Sequence, residues 1–233
     1  MDRTVSALGG GGFSMSGSGK SVIDDYVLGS TGKNSPRVCL VPTAGGDNPT
    51  YIDRFEQAFE GRASTSVLSL FDRAPWGYSN PSMLLEQDVV YIGGGSTANL
   101  LAVWRLHGLP DILRHAAAEG TILAGISAGA NCWFEASSTD SFGTLAPLDD
   151  GLAFLPGSMC PHYLGEPGRR AAYLRWVGEG RLPEGYAVDD ITALRSDGGQ
   201  LTEAVTERTE HPAYRVHRSG YSAVERSVPV RML

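Results

Sequence analysis

Short apolar runs separated by glycine-rich breaks set the rhythm of the chain. Residues 4–8, 38–41, 66–70, 88–92 and 122–124 are rich in β-branched and other apolar side chains, the pattern of strands buried on both faces. Between them lie segments of helical period: residues 22–29, residues 51–59 with Ile52, Phe55 and Phe59 on one side, and residues 97–107 and 110–119, the last two parted by Gly108-Leu109-Pro110. Strands that alternate with helices predict a parallel sheet covered on both faces. A loop carrying proline and tryptophan is expected over residues 73–82. Further on, residues 152–155 are apolar, residues 186–188 read as a strand, and residues 213–216 and 221–224 alternate as C-terminal β-hairpins do.

Composition narrows the class. The 233 residues suffice for a sizeable core and fit one α/β domain over residues 1–233. Thirty glycines exceed the ordinary share and imply many tight turns between strands and helices. A net charge of −7 without a basic tract argues against nucleic acid and against an anionic membrane surface. Cys39, Cys132 and Cys160 are too few and too widely spaced for a disulfide framework or a Cys-x-x-Cys metal site, so they read as reduced thiols and no metal is expected. The chain opens Met-Asp-Arg without a charged-then-apolar leader, and no apolar run approaches the ~18 residues of a membrane span. A cytoplasmic location follows as an expectation, and base rates favour a homodimer.

The candidate chemistry centres on Gly125-Ile126-Ser127-Ala128-Gly129, directly after the apolar strand. A Gly-x-Ser-x-Gly turn between strand and helix exposes the serine hydroxyl, and its small residues relieve crowding at the sharp bend. The Ala128 N–H, at the start of a helix, is placed to receive a developing oxyanion. Small-residue turns of this kind also serve plain packing, so partners are needed. Gly19-Lys20-Ser21 ends like a phosphate loop, but the spacing requires glycine at position 14, where Ser14 stands, and a surface glycine–serine loop is the reading. Residues 93–98, Gly-Gly-Gly-Ser-Thr-Ala, contain a dinucleotide-like Gly-x-Gly-x-x-Ala. That fingerprint belongs in the first βαβ unit with an acid ~20 residues on; here the turn instead offers Gly94 or Gly95 as a second oxyanion donor.

A serine at its free pKa needs a base, and His162, in Pro161-His162-Tyr163, is favoured over His211 and His217, which fall among the hairpins away from the expected sheet edge. The acid that would orient it is open among Asp189 and Asp190, after the 186–188 strand, and Glu135 and Asp140, which otherwise read as a solvated helix end and loop.

Ser127 in Gly-Ile-Ser-Ala-Gly-Ala-Asn131, the upstream Gly93–Thr97 run, Pro161-His162 and Val188-Asp189-Asp190-Ile191-Thr192-Ala193 together resemble the peptidase E (aspartyl dipeptidase) family of serine peptidases, to which cyanophycinase is related. The resemblance runs from the glycine loop at residues 9–12 to about residue 199. It implies a class I glutamine-amidotransferase-like, flavodoxin-like three-layer α/β fold, with serine where the amidotransferases carry cysteine. It also implies a Ser-His-Glu triad, which places the nucleophile at Ser127, the base at His162 and the acid at Asp190, where this chain departs from the usual glutamate. Asp is one methylene shorter, so Asp189 and Asp140 stay as alternatives. Relatives prefer an N-terminal aspartate, and Arg169 or Arg170 can offer a guanidinium to its carboxylate, or be surface arginines at a helix start. The implied activity is hydrolysis of short peptides without a cofactor; the rivals are a cyanophycinase-like amide or ester hydrolase and a non-catalytic amidotransferase-like binding domain.

Overall fold

A computed structural model describes residues 3–17, 19–72 and 77–233. The loop read at residues 73–82 therefore falls outside the described residues over 73–76, as does Ser18 of the glycine–serine loop. The first half follows the expected alternation: β1 (Thr4–Leu8), α1 (Val22–Gly29), β2 (Arg37–Val41), α2 (Pro49–Phe59), β3 (Ser64–Val67), β4 (Val89–Ile92), α3 (Thr97–Leu106), α4 (Leu109–Ala118) and β5 (Ile122–Ile126). A single turn, α5 (Ala128–Asn131), then leads into β6 (Phe134–Thr139), β7 (Ala146–Leu148), β8 (Leu155–Cys160), α6 (Arg169–Gly178) and β9 (Gly185–Val188). The chain closes with β10 (Thr192–Asp197), β11 (Gln200–Thr206), β12 (Ala213–Ser219), β13 (Ser222–Val228) and β14 (Arg231–Met232).

These strands form two mixed sheets. The eight-stranded sheet runs β14-β11-β10-β1-β5-β4-β2-β3, with β1, β5, β4, β2 and β3 parallel. Apart from the edge strand β3, its parallel strands are buried on both faces with period two. Val38, Leu40, Val89, Tyr91, Ile122, Ala124 and Ile126 pack with α1 and α2, while Cys39, Val41, Val90, Ile92 and Leu123 pack with α3 and α4. The six-stranded sheet, β13-β12-β9-β8-β6-β7, stands beside the expected helix-flanked parallel sheet and takes in the 186–188 strand and the 213–224 hairpin. Phe134, Leu155, Met159 and Val188 join its inner face to the same core as Val5, Ala7 and Leu123, and α6 covers its outer face through Tyr173, Trp176 and Val177. The two C-terminal hairpins are divided between the sheets: β10–β11 extends the first antiparallel to β1, and β12–β13 extends the second antiparallel to β9.

Local chemistry sets the element ends. Asn48 accepts from the Tyr51 N–H at 3.2 Å ahead of Pro49, so α2 starts two residues before the apolar pattern does. Ser96 caps α3 by accepting from the Asn99 N–H at 3.2 Å. The third strand sits at residues 64–67 rather than 66–70 because it pairs only with β2, Arg37 opposite Ser64 through Leu40 opposite Val67, and then leaves toward Ser69, whose hydroxyl bonds buried Asp47 at 2.5 Å.

Candidate active site

Ser127 stands just past the end of β5 with φ 54° and ψ −107°, a backbone region that non-glycine residues avoid. The flanking glycines explain how the bend closes. A Cβ on Gly125 would lie 2.2 Å from the Gly129 carbonyl oxygen, and one on Gly129 would lie 2.5 Å from the Ile92 carbonyl oxygen. The Ser127 N–H donates to Leu8 O at 3.0 Å, and its carbonyl accepts from the Ala130 and Asn131 N–H groups, each at 2.9 Å. The Ala128 N–H has no acceptor among the described residues.

His162 reaches this hydroxyl from the other sheet. It follows β8 with φ 50°, and its N–H donates to Gly9 O at 3.1 Å, tying the loop to the end of β1. Its Nε2 lies 2.9 Å from Ser127 Oγ and its Nδ1 lies 2.5 Å from Asp190 Oδ1. The His162 and Asp190 side chains are 16% and 15% exposed, shielded from bulk water but open to a ligand.

Alternation past β9 separates the two neighbouring acids. Asp190 turns toward His162, whereas Asp189 turns the other way: its Oδ1 accepts from the Leu164 and Gly165 N–H groups, each at 2.9 Å, and its Oδ2 meets His211 Nδ1 at 2.9 Å. Two glycines make room for the shorter acid. A Cβ on Gly10 would stand 2.1 Å from Asp190 Oδ1, and one on Gly165 would stand 2.1 Å from Asp190 Oδ2. The expectation that His211 lies away from this sheet edge is corrected, because the β11–β12 connection folds back beneath Asp189. The other candidate acids do not reach His162. Glu135 accepts from the Gly157 N–H at 2.8 Å, and Asp140 pairs with Arg169 at 3.4 Å.

The glycine turn after β4 lies beside the elbow. A Cβ on Gly94 would sit 3.7 Å from Ser127 Cβ, and Gly95, with φ 137°, is pressed so closely on Ala44 that a Cβ there would fall 2.2 Å from the Ala44 carbonyl oxygen. The Gly94 N–H donates to Tyr51 Oη at 3.3 Å, a contact for which the apolar period of α2 gave no signal. Burial lifts the Tyr51 hydroxyl to about 12, so it stays protonated.

Arg169 is 3% exposed at the start of α6, with Nε on Glu166 at 2.5 Å, Nη2 on Asp140 at 3.4 Å and Nη1 buried without a hydrogen-bond partner. Glu166, which sequence reasoning missed, is fixed by its N–H donating to His162 O at 3.0 Å. Ser138 Oγ and Asn131 Oδ1 are also buried without partners, the latter on a side chain whose Nδ2 bonds Thr97 Oγ1 and Ser138 O. Arg170 instead binds Glu225 of β13 at 2.5 Å on the outer side of α6. All three thiols are free and buried, and burial pushes the Cys39 and Cys160 thiols up to about 12. Among the described residues no His, Cys, Asp and Glu cluster is fit to hold a metal, and no helix is long and apolar enough to cross a membrane.

A strained serine, a histidine and a carboxylate thus stand in hydrogen-bonded series at an α/β sheet edge, an arrangement shared by serine hydrolases of several kinds, and comparison with known proteins gives the family. The chain belongs to peptidase family S51, whose profile matches residues 5–204. It is 45% identical over 232 residues to an uncharacterized peptidase, YgaJ, of Bacillus subtilis strain 168, covering 99% of both chains. It is 34% identical over 192 residues to peptidase E of Pasteurella multocida, covering 76% of this chain and 77% of the relative. In fold it matches a peptidase from an acI-B1 actinobacterium with a TM-score of 0.72 at 15% identity, covering 99% of this chain and 95% of the other. A peptidase E-like protein of Listeria monocytogenes EGD-e gives 0.63 at 19% identity, covering 87% and 98%. The family resemblance and the α/β class read from the sequence both hold.

Proposed function

We propose that this protein is a serine exopeptidase that hydrolyses short peptides, with N-terminal Asp-X dipeptides as the preferred class. The observation that carries the reading is the position of His162, whose two ring nitrogens meet Ser127 Oγ and Asp190 Oδ1 at once. His162 Nε2 takes the Ser127 proton as Oγ bonds the scissile carbonyl carbon. Asp190 holds the Nδ1 proton and so keeps the base in the tautomer that accepts at Nε2. The oxyanion falls to the free Ala128 N–H and to the Gly95 N–H across the cleft, because the Gly94 N–H is engaged by Tyr51 Oη at 3.3 Å. His162 then returns its proton to the leaving amine, and water activated by the same nitrogen releases the acyl group from Ser127. Of the two arginines at the start of α6, Arg170 is engaged by Glu225, and Arg169, buried between Glu166 and Asp140 with one N–H group uncommitted, is the better placed of that pair toward an aspartate side chain.

The test is hydrolysis of Asp-Leu, Leu-Leu and N-acetyl-Asp-Leu by the purified protein, with Ser127→Ala as control. Cleavage of Asp-Leu alone, abolished in the variant, is expected. Ser127 labelling by a fluorophosphonate without cleavage of any of the three would retain a serine hydrolase and remove the aspartyl preference. Absence of labelling would refute the catalytic reading.

A further inference from the structure

Substrate carboxylates need a cation, and the arginines at this edge differ in whether their charge is already used. Arg169 faces both Glu166 and Asp140, so that trio carries one positive and two negative formal charges, and Arg170 is held by Glu225. Arg54 is different. It lies one helical turn beyond Tyr51 on the same side of α2, and its Nη1 donates to a neutral acceptor, the Ser14 carbonyl, at 2.6 Å. No carboxylate among the described residues forms an ion pair with its guanidinium.

Its surroundings connect it to the reacting serine. Arg54 and Tyr51, with Gly45, Asn48 and Thr50, line a cavity of about 360 Å³. Tyr51 Oη accepts from the Gly94 N–H at 3.3 Å, and a Cβ on Gly45 would lie 3.4 Å from the Gly94 carbonyl oxygen. Gly94 in turn sits against Ser127. The cavity therefore lies next to the glycine turn that flanks the elbow, and both the Tyr51 ring and an unneutralised guanidinium line it. The Ser14 carbonyl, itself in a loop pinned by the Ser14 hydroxyl on Gly11 O at 2.7 Å, fixes one side of the guanidinium and leaves the rest of its donor fork open.

We propose that Arg54 and Tyr51 form the subsite that anchors a substrate carboxylate, making Arg54 a specificity-determining residue for short peptides. The inference rests on the peptidase reading for its ligand class, but not on turnover for its test. A peptide held with its scissile bond at Ser127 and a carboxylate in this cavity would present that carboxylate to the Arg54 guanidinium. The carboxylate is the C-terminal one or an aspartate side chain, and both present the same planar acceptor to the fork.

The experiment is calorimetric binding of Asp-Leu, Leu-Leu and their C-terminal amides to the Ser127→Ala protein, with Arg54 intact, as Arg54→Met and as Arg54→Lys. Loss of one charge-assisted pair is expected to weaken binding about 10- to 100-fold in Arg54→Met, with Arg54→Lys between the two. If the carboxylate is C-terminal, amidation costs the intact protein that factor and costs Arg54→Met nothing. If it is the aspartate side chain, the Asp-Leu advantage over Leu-Leu disappears in Arg54→Met while the amidation effect persists. Either pattern supports the assignment. Equal affinities in Arg54 and Arg54→Met, penalties that simply add, or no measurable binding of any of the four peptides overturn it. Because hydrolysis by the unmutated protein is measured separately, failure here leaves the peptidase reading standing, and failure there leaves this result legible.

Discussion

Asp189 and Asp190 are adjacent, carry the same carboxylate and do opposite work, because extended backbone sends consecutive side chains to opposite sides. Asp190 orients His162; Asp189 holds the 164–165 turn through two backbone N–H groups. Asp190→Asn should therefore lower peptide hydrolysis about a thousandfold or more while leaving the melting temperature nearly unchanged. Asp189→Asn, which keeps an acceptor at the same place, should cost less than about tenfold in activity and roughly 1–2 kcal/mol in stability; parallel kinetics and thermal melts on the two variants separate the roles. A third acid, Asp24, is fully buried under the Gly12 turn, where its Oδ1 accepts from the Tyr91 hydroxyl at 2.8 Å. Burial raises it from its ordinary value of 3.8 to about 7, outweighing the Tyr91 hydrogen bond and the positive field of Arg62, with the field of Glu207 adding to the rise. Since the folded state holds this proton more tightly than the unfolded chain, stability falls as pH rises from about 4 to 7, by roughly 4 kcal/mol, and stays lower above. Asp24→Asn removes that titration. Its denaturation free energy should exceed that of the parent at pH 8 and lose the decline between pH 4 and 7; parallel pH profiles for the two proteins would refute the assignment.

At the scale of elements, glycines decide how closely the loops approach, and what each would meet predicts different failures. A methyl at Gly125 meets the backbone of Gly129, which cannot move without opening the elbow, so Gly125→Ala should cost about 3 kcal/mol or more or prevent folding. At Gly10 it meets the Asp190 carboxylate, a side chain that can swing aside; Gly10→Ala should fold and lose activity much as Asp190→Asn does. Melting and hydrolysis assays on both variants check the contrast, and an active Gly10→Ala would break the link between that glycine and the acid. The same locality governs what the sequence reveals. The elbow was legible because Gly125, Ser127 and Gly129 act on one another within one turn, and the βαβ half was legible because β2, β4 and β5 are nearly continuous apolar runs. Of the second sheet, β9, β12 and β13 were legible, but β6 and β8 were not. Its β6 carries Glu135 and the buried hydroxyls of Ser137, Ser138 and Thr139, and β8 contains Pro156 and Gly157, so neither shows the strand pattern. Tyr51 on Gly94 and Gly165 on Asp190 are likewise products of packing between segments. Their positions carry no local mark.

At the scale of the molecule, the three residues come from both sheets. Ser127 ends β5 of the first sheet, His162 follows β8 of the second, and Asp190 lies in the short span where the chain leaves β9 of the second sheet to enter β10 of the first. Correct spacing therefore requires that the sheets be docked, and the docking is made by a core that takes Val5, Ala7 and Leu123 from one sheet and Phe134, Leu155 and Met159 from the other. Backbone bonds reinforce the seam: the His162 N–H on Gly9 O at 3.1 Å and the Ile191 N–H on Gly10 O at 3.0 Å both cross it beside the site. Apolar burial of that kind is cooperative, since opening the seam exposes both faces at once. Fluorophosphonate labelling of Ser127 should accordingly disappear over the same urea range as the near-ultraviolet circular dichroism and the far-ultraviolet signal, in a single transition. Labelling lost at lower urea, with both spectra intact, would mean that the seam opens before either sheet unfolds and that the site sits on a weaker joint than its shared core implies.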